Sequence, residues 1–417
     1  MMEGKCQDSV IQELMNKCHI YQFEEGNSRK ARETLETVLE IQTEDLGEDD
    51  IAVAKTLMYI GSILREEGDF NEAFEKLNRS LAIRVKKLGR HCDTADSYEE
   101  IGITFQRQGE HEQAKEMFRE ALDIKREILP NDHIEVTGLY EREALSLSNQ
   151  GKFSEAIKVY KVQLAAILQI HGEFHPSVAH LYQGIAMLLK LQNRLDDAVQ
   201  LLDKSIEISS RLQRVGDFDM KVLGSIFRHK AKIQNQQGNL EGATETWNKV
   251  LMIRIETVGE MHPKTAETYE ELALVYIRQD IIEGAIESYA KAINIRRKEL
   301  GDDHSNTKEL VLNRELLQRE KYQRILRNQG LAMQTEGDSE KAEQLFQEAN
   351  EILKEKAAIF ENLSAVKVDQ GMLDDAIATS AEALKIRRRT LGDEDAGTRL
   401  RTEAHRSLLK RLLENRS

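Results

Sequence analysis

Proline is nearly missing, with three residues in 417, so little in the chain forces a helix to break. That scarcity points to a mostly helical fold. Cysteine is equally rare. Cys6, Cys18 and Cys92 give no even framework for disulfides, which places the chain in a reducing, cytoplasmic setting. The N-terminal stretch MMEGKCQDSVIQELMNKC lacks an apolar segment of signal-peptide length. No apolar run approaches the length a membrane span needs. Basic residues are outnumbered 59 to 73, and the net charge of −14 opposes general attraction to nucleic-acid backbones or anionic membranes. No nucleophile elbow, phosphate-cradling glycine loop or His-Glu-x-x-His helix occurs, so the sequence offers no enzyme signature.

What is present is repetition. A length of 417 residues could hold two or three ordinary domains, or one long array of repeats. Small or turn-forming residues recur at Gly26, Gly68, Gly109, Gly151, Asn193, Gly238, Asp280, Gly337 and Gly371, at intervals of 42, 41, 42, 42, 45, 42, 57 and 34. Five residues after each stands an alanine: Ala31, Ala73, Ala114, Ala156, Ala198, Ala243, Ala285, Ala342 and Ala376. Seven before each, eight of nine residues are small, from Gly61 and Gly102 to Gly330 and Ser364; His19 is the exception. Eleven before and nine after, the residues are mostly large. Small residues ringed by large ones at these offsets predict a helix, a bend and an antiparallel helix in close contact.

Between units runs a second phrase, as in IRRKELGDDH from Ile295 and IRIETVGEMH from Ile253. Its glycines (Gly47, Gly89, Gly172, Gly259, Gly301, Gly392) suit a left-handed helix end. Arg296, Arg297 and Lys298 suit the negative end of a helix, and Pro176 and Pro263 suit a first turn. The phrase reads as a helix stop followed by a helix start.

A helical pair with small residues at these offsets resembles the tetratricopeptide repeat. The 42-residue form, linked by A-x-x-I-R-x-x-x-L-G-x-x-H-P and clearest in VLMIRIETVGEMHPKTAETYEELALVYIRQD, resembles the repeats of kinesin light chain. The resemblance implies an all-α, right-handed α-solenoid of stacked antiparallel helix pairs. On this reading residues 1–395 are expected to form a single run of about nine pairs and 396–417 a capping helix. It also implies a protein or peptide partner and no cofactor. Light chains carry a heptad segment before the repeats for the motor heavy chain; here repeats begin almost at once, so direct motor association is not expected.

Two places break the period. The 57-residue interval predicts one long helix over 306–334, with Leu310, Leu317 and Ile325 as an apolar edge. Repeat logic demands a turn near Lys354–Lys356, although ILKEKAAIF contains no breaker; the turn is favoured. Past Asp395, Leu400, Ala404, Leu408, Leu409, Leu412 and Leu413 share one helical face.

The recurring linker histidines His133, His175, His262 and His304 could suggest a metal. Adjacent linkers lie roughly 15–20 Å apart if helices pack about 8–10 Å apart, too far for a shared ion with ligands at about 2.0–2.1 Å. They read as helix caps. The Tyr98, Tyr140, Tyr182, Tyr269 series reads as core packing rather than base stacking, and Cys92 beside His91 as no nucleophile. The remaining site is the inner wall formed by the first helix of each pair. Its candidates are Arg65, Glu99, Glu100, Arg107, Glu141, Arg142, Gln183, Lys190, Arg228, Asn235, Glu270, Glu271 and Arg278. Glu99, Glu100, Glu270 and Glu271 point to basic stretches in the ligand. The function expected is a non-enzymatic interaction scaffold, a kinesin light chain-like adaptor. The alternative is a sensor array whose ligand changes the superhelix pitch.

Overall fold

The computed structural model describes residues 2–214 and 219–416, and every regular element among them is helical. The chain divides into two compact units, 1–218 and 219–417. The first unit holds α1 (Met2–His19), a π turn at Ile20–Glu24, α2 (Ser28–Leu46), α3 (Ile51–Glu67), α4 (Phe70–Leu88) and α5 (Cys92–Gln108). It continues with α6 (His111–Ile128), α7 (Ile134–Asn149), α8 (Phe153–His171), α9 (Pro176–Leu191) and α10 (Leu195–Arg214). The second unit holds α11 (Met220–Gln237), α12 (Leu240–Val258), α13 (Pro263–Arg278), α14 (Ile282–Leu300), α15 (Ser305–Glu336), α16 (Ser339–Asp369), α17 (Leu373–Leu391) and α18 (Ala396–Arg416). In each unit every helix packs on the next in sequence, the arrangement of an α-solenoid.

The bend residues explain the period. All nine have positive φ, from 59° at Asn193 to 88° at Gly68 and Gly337. Asn193 and Asp280 are the non-glycine residues with positive φ among the described residues, and Asn and Asp are the side chains that tolerate this region best. The alanines five residues on are all buried. They let the second helix of each pair close on the first. The opposing small residue faces the large residue nine after the bend. A methyl group at Gly61 would stand 2.6 Å from Leu77, and at Gly102 and Gly330 it would stand 2.7 Å from Phe118 and Phe346. Alanine takes this place in four other pairs, as Ala231 does in the cluster around the buried Trp247, and Ser364 takes it in the last. Each large side chain seated this way contributes about 1.5–3 kcal/mol. The first pair has His19 instead of a small residue, and there a π turn joins the helices.

The linker glycines differ from the sequence expectation. Gly47, Gly259, Gly301 and Gly392 have positive φ but ψ of 159–168°, so they are extended rather than left-handed helical. That region is essentially closed to other residues, a stricter demand for glycine than a helix cap makes. The linker histidines do cap helices. Nδ1 of His91, His133, His175, His262 and His304 each accepts the backbone N–H two residues on, at 3.1–3.3 Å. The tyrosines pack in the core clusters, as expected.

In the second unit the long helix is present as α15, but the turn expected near Lys354–Lys356 is not: α16 runs unbroken from Ser339 to Asp369. Repeat spacing loses to local propensity here because no Gly, Pro or cap interrupts the run. The two changes compensate each other. A 32-residue helix, about 48 Å long at about 1.5 Å per residue, needs a partner of equal length, and α16 has 31 residues. Gln323 donates to the Ala349 carbonyl, Lys356 meets Glu320, and Gln370 returns to Asn306 and Glu309. Leu310 and Leu317 pack in the α13–α14 core rather than forming a free edge, while Ile325 stays exposed. In α18, Leu408 and Leu412 are half-buried, whereas Leu400 and Leu413 are exposed.

Candidate partner-binding face

The thirteen residues proposed from sequence fall on first helices, and nine are joined to other side chains. Arg65 of α3 meets Glu100 of α5 at 2.5 Å, Arg142 of α7 meets Glu99 of α5 at 2.9 Å, and His180 of α9 meets Glu141 of α7 at 2.9 Å. In the second unit Lys232 of α11 meets Glu271 of α13 at 2.8 Å, and Arg278 of α13 donates to the side chain and carbonyl of Asn235 of α11. Each bond ties one first helix to the next. Successive first helices are therefore tied into a polar ladder from α3 to α9 in the first unit and from α11 to α13 in the second. Arg107, Gln183, Lys190 and Arg228 have no side-chain hydrogen bond or ion pair among the described residues.

A second set of cations was read in the sequence only as last-turn charges. The residue after Ile in the linker phrase is Arg84, Lys125, Arg254, Arg296 or Arg387, and it turns inward. Lys125 is 1% exposed and its Nζ lies 2.7 Å from Asp96, 3.4 Å from Glu99 and 2.8 Å from Glu135. Burial alone would lower its pKa, but the hydrogen bonds that it donates to Asp96 and Glu135 outweigh it and hold the ammonium above the ordinary lysine value. Arg296 reaches Glu270 at 3.0 Å, and Arg387 reaches Glu361 at 2.5 Å. Burial pushes the Glu270 carboxyl above its usual range, with Arg296 opposing. The sequence carried one signal for this: a carboxylate recurs 26 residues before the cation. Arg297 and Lys298, by contrast, stay exposed in the last turn.

These pairs correct the charge reading. Glu99, Glu100, Glu270 and Glu271 are each matched by a cation of the same chain, so they do not present four free negative charges to a ligand. The unpaired members of the set are cationic or neutral. Sequence reasoning also missed the apolar residues beside them. Tyr59, Leu145 and Leu191 in the first unit, and Leu274 and Ile277 in the second, are exposed on first helices; Leu145 and Leu274 are 50% and 48% exposed.

No group of three or more His, Cys, Asp or Glu side chains among the described residues is placed to hold a metal ion. No described helix is long and apolar enough to cross a membrane. Helix pairs stacked in sequence, with neighbouring first helices bonded from α3 to α9 and from α11 to α13, define a helical-repeat protein of the interaction-scaffold class. Tetratricopeptide repeat models match residues 11–84, 52–127, 136–211 and 265–306, and the chain belongs to the tetratricopeptide repeat family. Repeats of this family form protein–protein interaction scaffolds.

Solved structures similar to the chain include TPR-like repeats assigned to a kinesin light chain of Podosopora anserina, at 22% identity and TM-score 0.45, covering 49% of this chain and 98% of that one. BtubC (BKLC) from P. vanneervenii is 20% identical, with TM-score 0.45 over 56% of this chain and 92% of that one. A tetratricopeptide repeat protein from Parabacteroides merdae is 16% identical, with TM-score 0.43 over 72% of this chain and 97% of that one. No curated protein matches the chain.

Proposed function

We propose that the protein is a non-enzymatic adaptor of the kinesin light chain kind, holding a segment of a partner protein along its first-helix faces. The observation that carries this reading is the company the polar ladder keeps. Bonds between neighbouring first helices hold the face stiff, and exposed leucines stand beside them at Leu145 and Leu274. A preformed surface loses little order on binding, so apolar side chains there can anchor a segment at low cost. The polar groups left over, Arg107, Gln183, Lys190 and Arg228, favour a partner with acidic rather than basic residues.

The test is substitution of the exposed anchors. Leu145→Glu and Leu274→Glu leave the buried contacts intact, so helicity should stay unchanged by circular dichroism. Partners recovered with the wild-type chain and lost with the variants are then purified and titrated directly. A purified partner that binds wild type and both variants with equal affinity removes these faces as the docking surface.

A further inference from the structure

In three repeats the inward cation of the linker phrase is matched by the residue 26 positions earlier. Lys125 has Glu99, Arg296 has Glu270 and Arg387 has Glu361. In the fourth, Arg84 has Met58 at that offset and is held by the Asp93 carbonyl at 2.6 Å and the Ser97 hydroxyl at 3.0 Å. Arg254 departs from all of these. Its counterpart at the same offset is Arg228, a second cation standing where three other repeats place a carboxylate.

The surroundings do not cancel that charge. Arg254 is largely enclosed and donates to the Lys264 carbonyl and to the Thr268 hydroxyl, the latter at 2.8 Å. Among the described residues the carboxylates that act on it are Glu267, at 3.5 Å and half-exposed, and Glu271, which Lys232 already pairs. A cavity of about 350 Å³ opens here, lined by Lys221, Gly224, Arg228, Arg254, Lys264 and Glu267 among others. Among the described residues that line it, four cations face one carboxylate. Gly224 packs on Ile253, where a methyl group would stand 3.0 Å away, and Thr257 and Val258 also line the wall. Burial holds the Arg254 guanidinium below the ordinary arginine value, and Arg228 adds to the effect against Glu267. Two guanidinium groups and two ammonium groups on one wall match the charge of an oxyanion, which would supply what Glu99 and Glu270 supply in their own repeats.

We propose that this cavity between α11, α12 and α13 binds an oxyanion, the carboxylate or phosphate of an acidic partner segment. The proposal rests on the partner-binding reading above and assigns it a charged subsite.

The experiment uses the full chain and three labelled peptides of equal length, differing only at their centre: one phosphoserine, a run of glutamates, or a run of glutamines. Anisotropy is read at low and at physiological ionic strength. The wild-type chain should bind one or both anionic peptides well above the glutamine peptide, more weakly as salt rises, and inorganic phosphate should compete if the phosphopeptide is the one held. Arg228→Glu installs the carboxylate seen in sister repeats, so it should keep its melting curve while losing about tenfold or more in affinity. Arg228→Gln, which needs no new ion pair to fold, should lose less. Preference for phosphoserine or for glutamate identifies the source of the oxyanion. Equal binding by wild type and both variants, or no preference over the glutamine peptide, overturns the proposal. The Leu145 and Leu274 variants then report separately whether the wider docking face stands.

Discussion

Gln370, which follows α16, donates a 2.9 Å hydrogen bond from Nε2 to the Glu309 carboxylate in the first turns of α15, although 61 residues separate them. That contact closes a hairpin two helices long and about twice as tall as the ordinary repeat. It also decides where the chain is vulnerable to a helix breaker.

Glu355 sits mid-way along α16 with half its side chain in solvent, paired only to Arg319 at the surface. Glu355→Pro should cost about 3 kcal/mol or more, because it removes a backbone hydrogen bond and clashes with the preceding turn. Glu355→Ala should cost no more than about 1 kcal/mol. Urea unfolding of the two variants separates the cases. Equal stability would mean that the chain turns at this point after all.

Two glycines within helices should respond in opposite directions to alanine. A methyl group at Gly102 would meet the fully buried Phe118 at 2.7 Å, whereas at Gly138 nothing lies within 4 Å. Gly138→Ala should stabilise by about 0.5–1 kcal/mol through helix propensity alone. Gly102→Ala gains the same propensity but overpacks a closed contact, at a cost of about 1–3 kcal/mol, so its net effect should be destabilising. Melting curves that shift the same way for both would refute the packing assigned to the small residues. Ala285→Leu, at another fully buried small position, should fall with Gly102→Ala.

Lys125→Met should destabilise by about 3 kcal/mol, the low end of the range for breaking a buried ion pair, because Asp96 and Glu135 are partly solvated. The folded-state pKa of Lys125 is raised, so its contribution is complete below the lysine value of about 10.4 and is lost only as pH climbs through the higher folded value. The difference between wild type and variant should therefore be flat across neutral pH. A penalty that collapses between pH 6 and pH 8, roughly the histidine range, would assign it to another group.

His180 supplies a pH effect in that range. Its imidazole is exposed and hydrogen-bonds Glu141, and that bond holds its pKa above the ordinary value of about 6.5. The raised folded pKa means that the stabilisation is present below about pH 6.5 and disappears as pH rises through the folded value. Glu141→Gln should bring the NMR titration midpoint of His180 down. Unchanged midpoints would show that the contact does not persist in solution.

The helix pairs were legible because their causes are local. A bend needs a residue that accepts positive φ, and Asn193 and Asp280 stand in register with seven glycines for that reason. The alanines were legible because close helix contact leaves no room for anything else. The run through Lys354–Lys356 was misread because the period was allowed to outrank a stretch with no breaker in it. The candidate face was only half legible. Spacing put Glu99 and Glu270 on first helices, but a linear reading could not show that Lys125 and Arg296 fold back to neutralise them. Nor could it show which leucines remain in water, since Leu145 and Leu274 look in sequence like any core residue.

Lys125 answers to two repeats at once, gripping Asp96 and Glu99 behind it and Glu135 ahead. The α5–α6 pair is not electrically complete by itself. A fragment ending at the linker after α6 would strand an ammonium group without its forward partner, so trimming the array weakens the new last pair as well as removing the old one. Units joined in this way melt together over short distances, and their boundaries are poor places to cut.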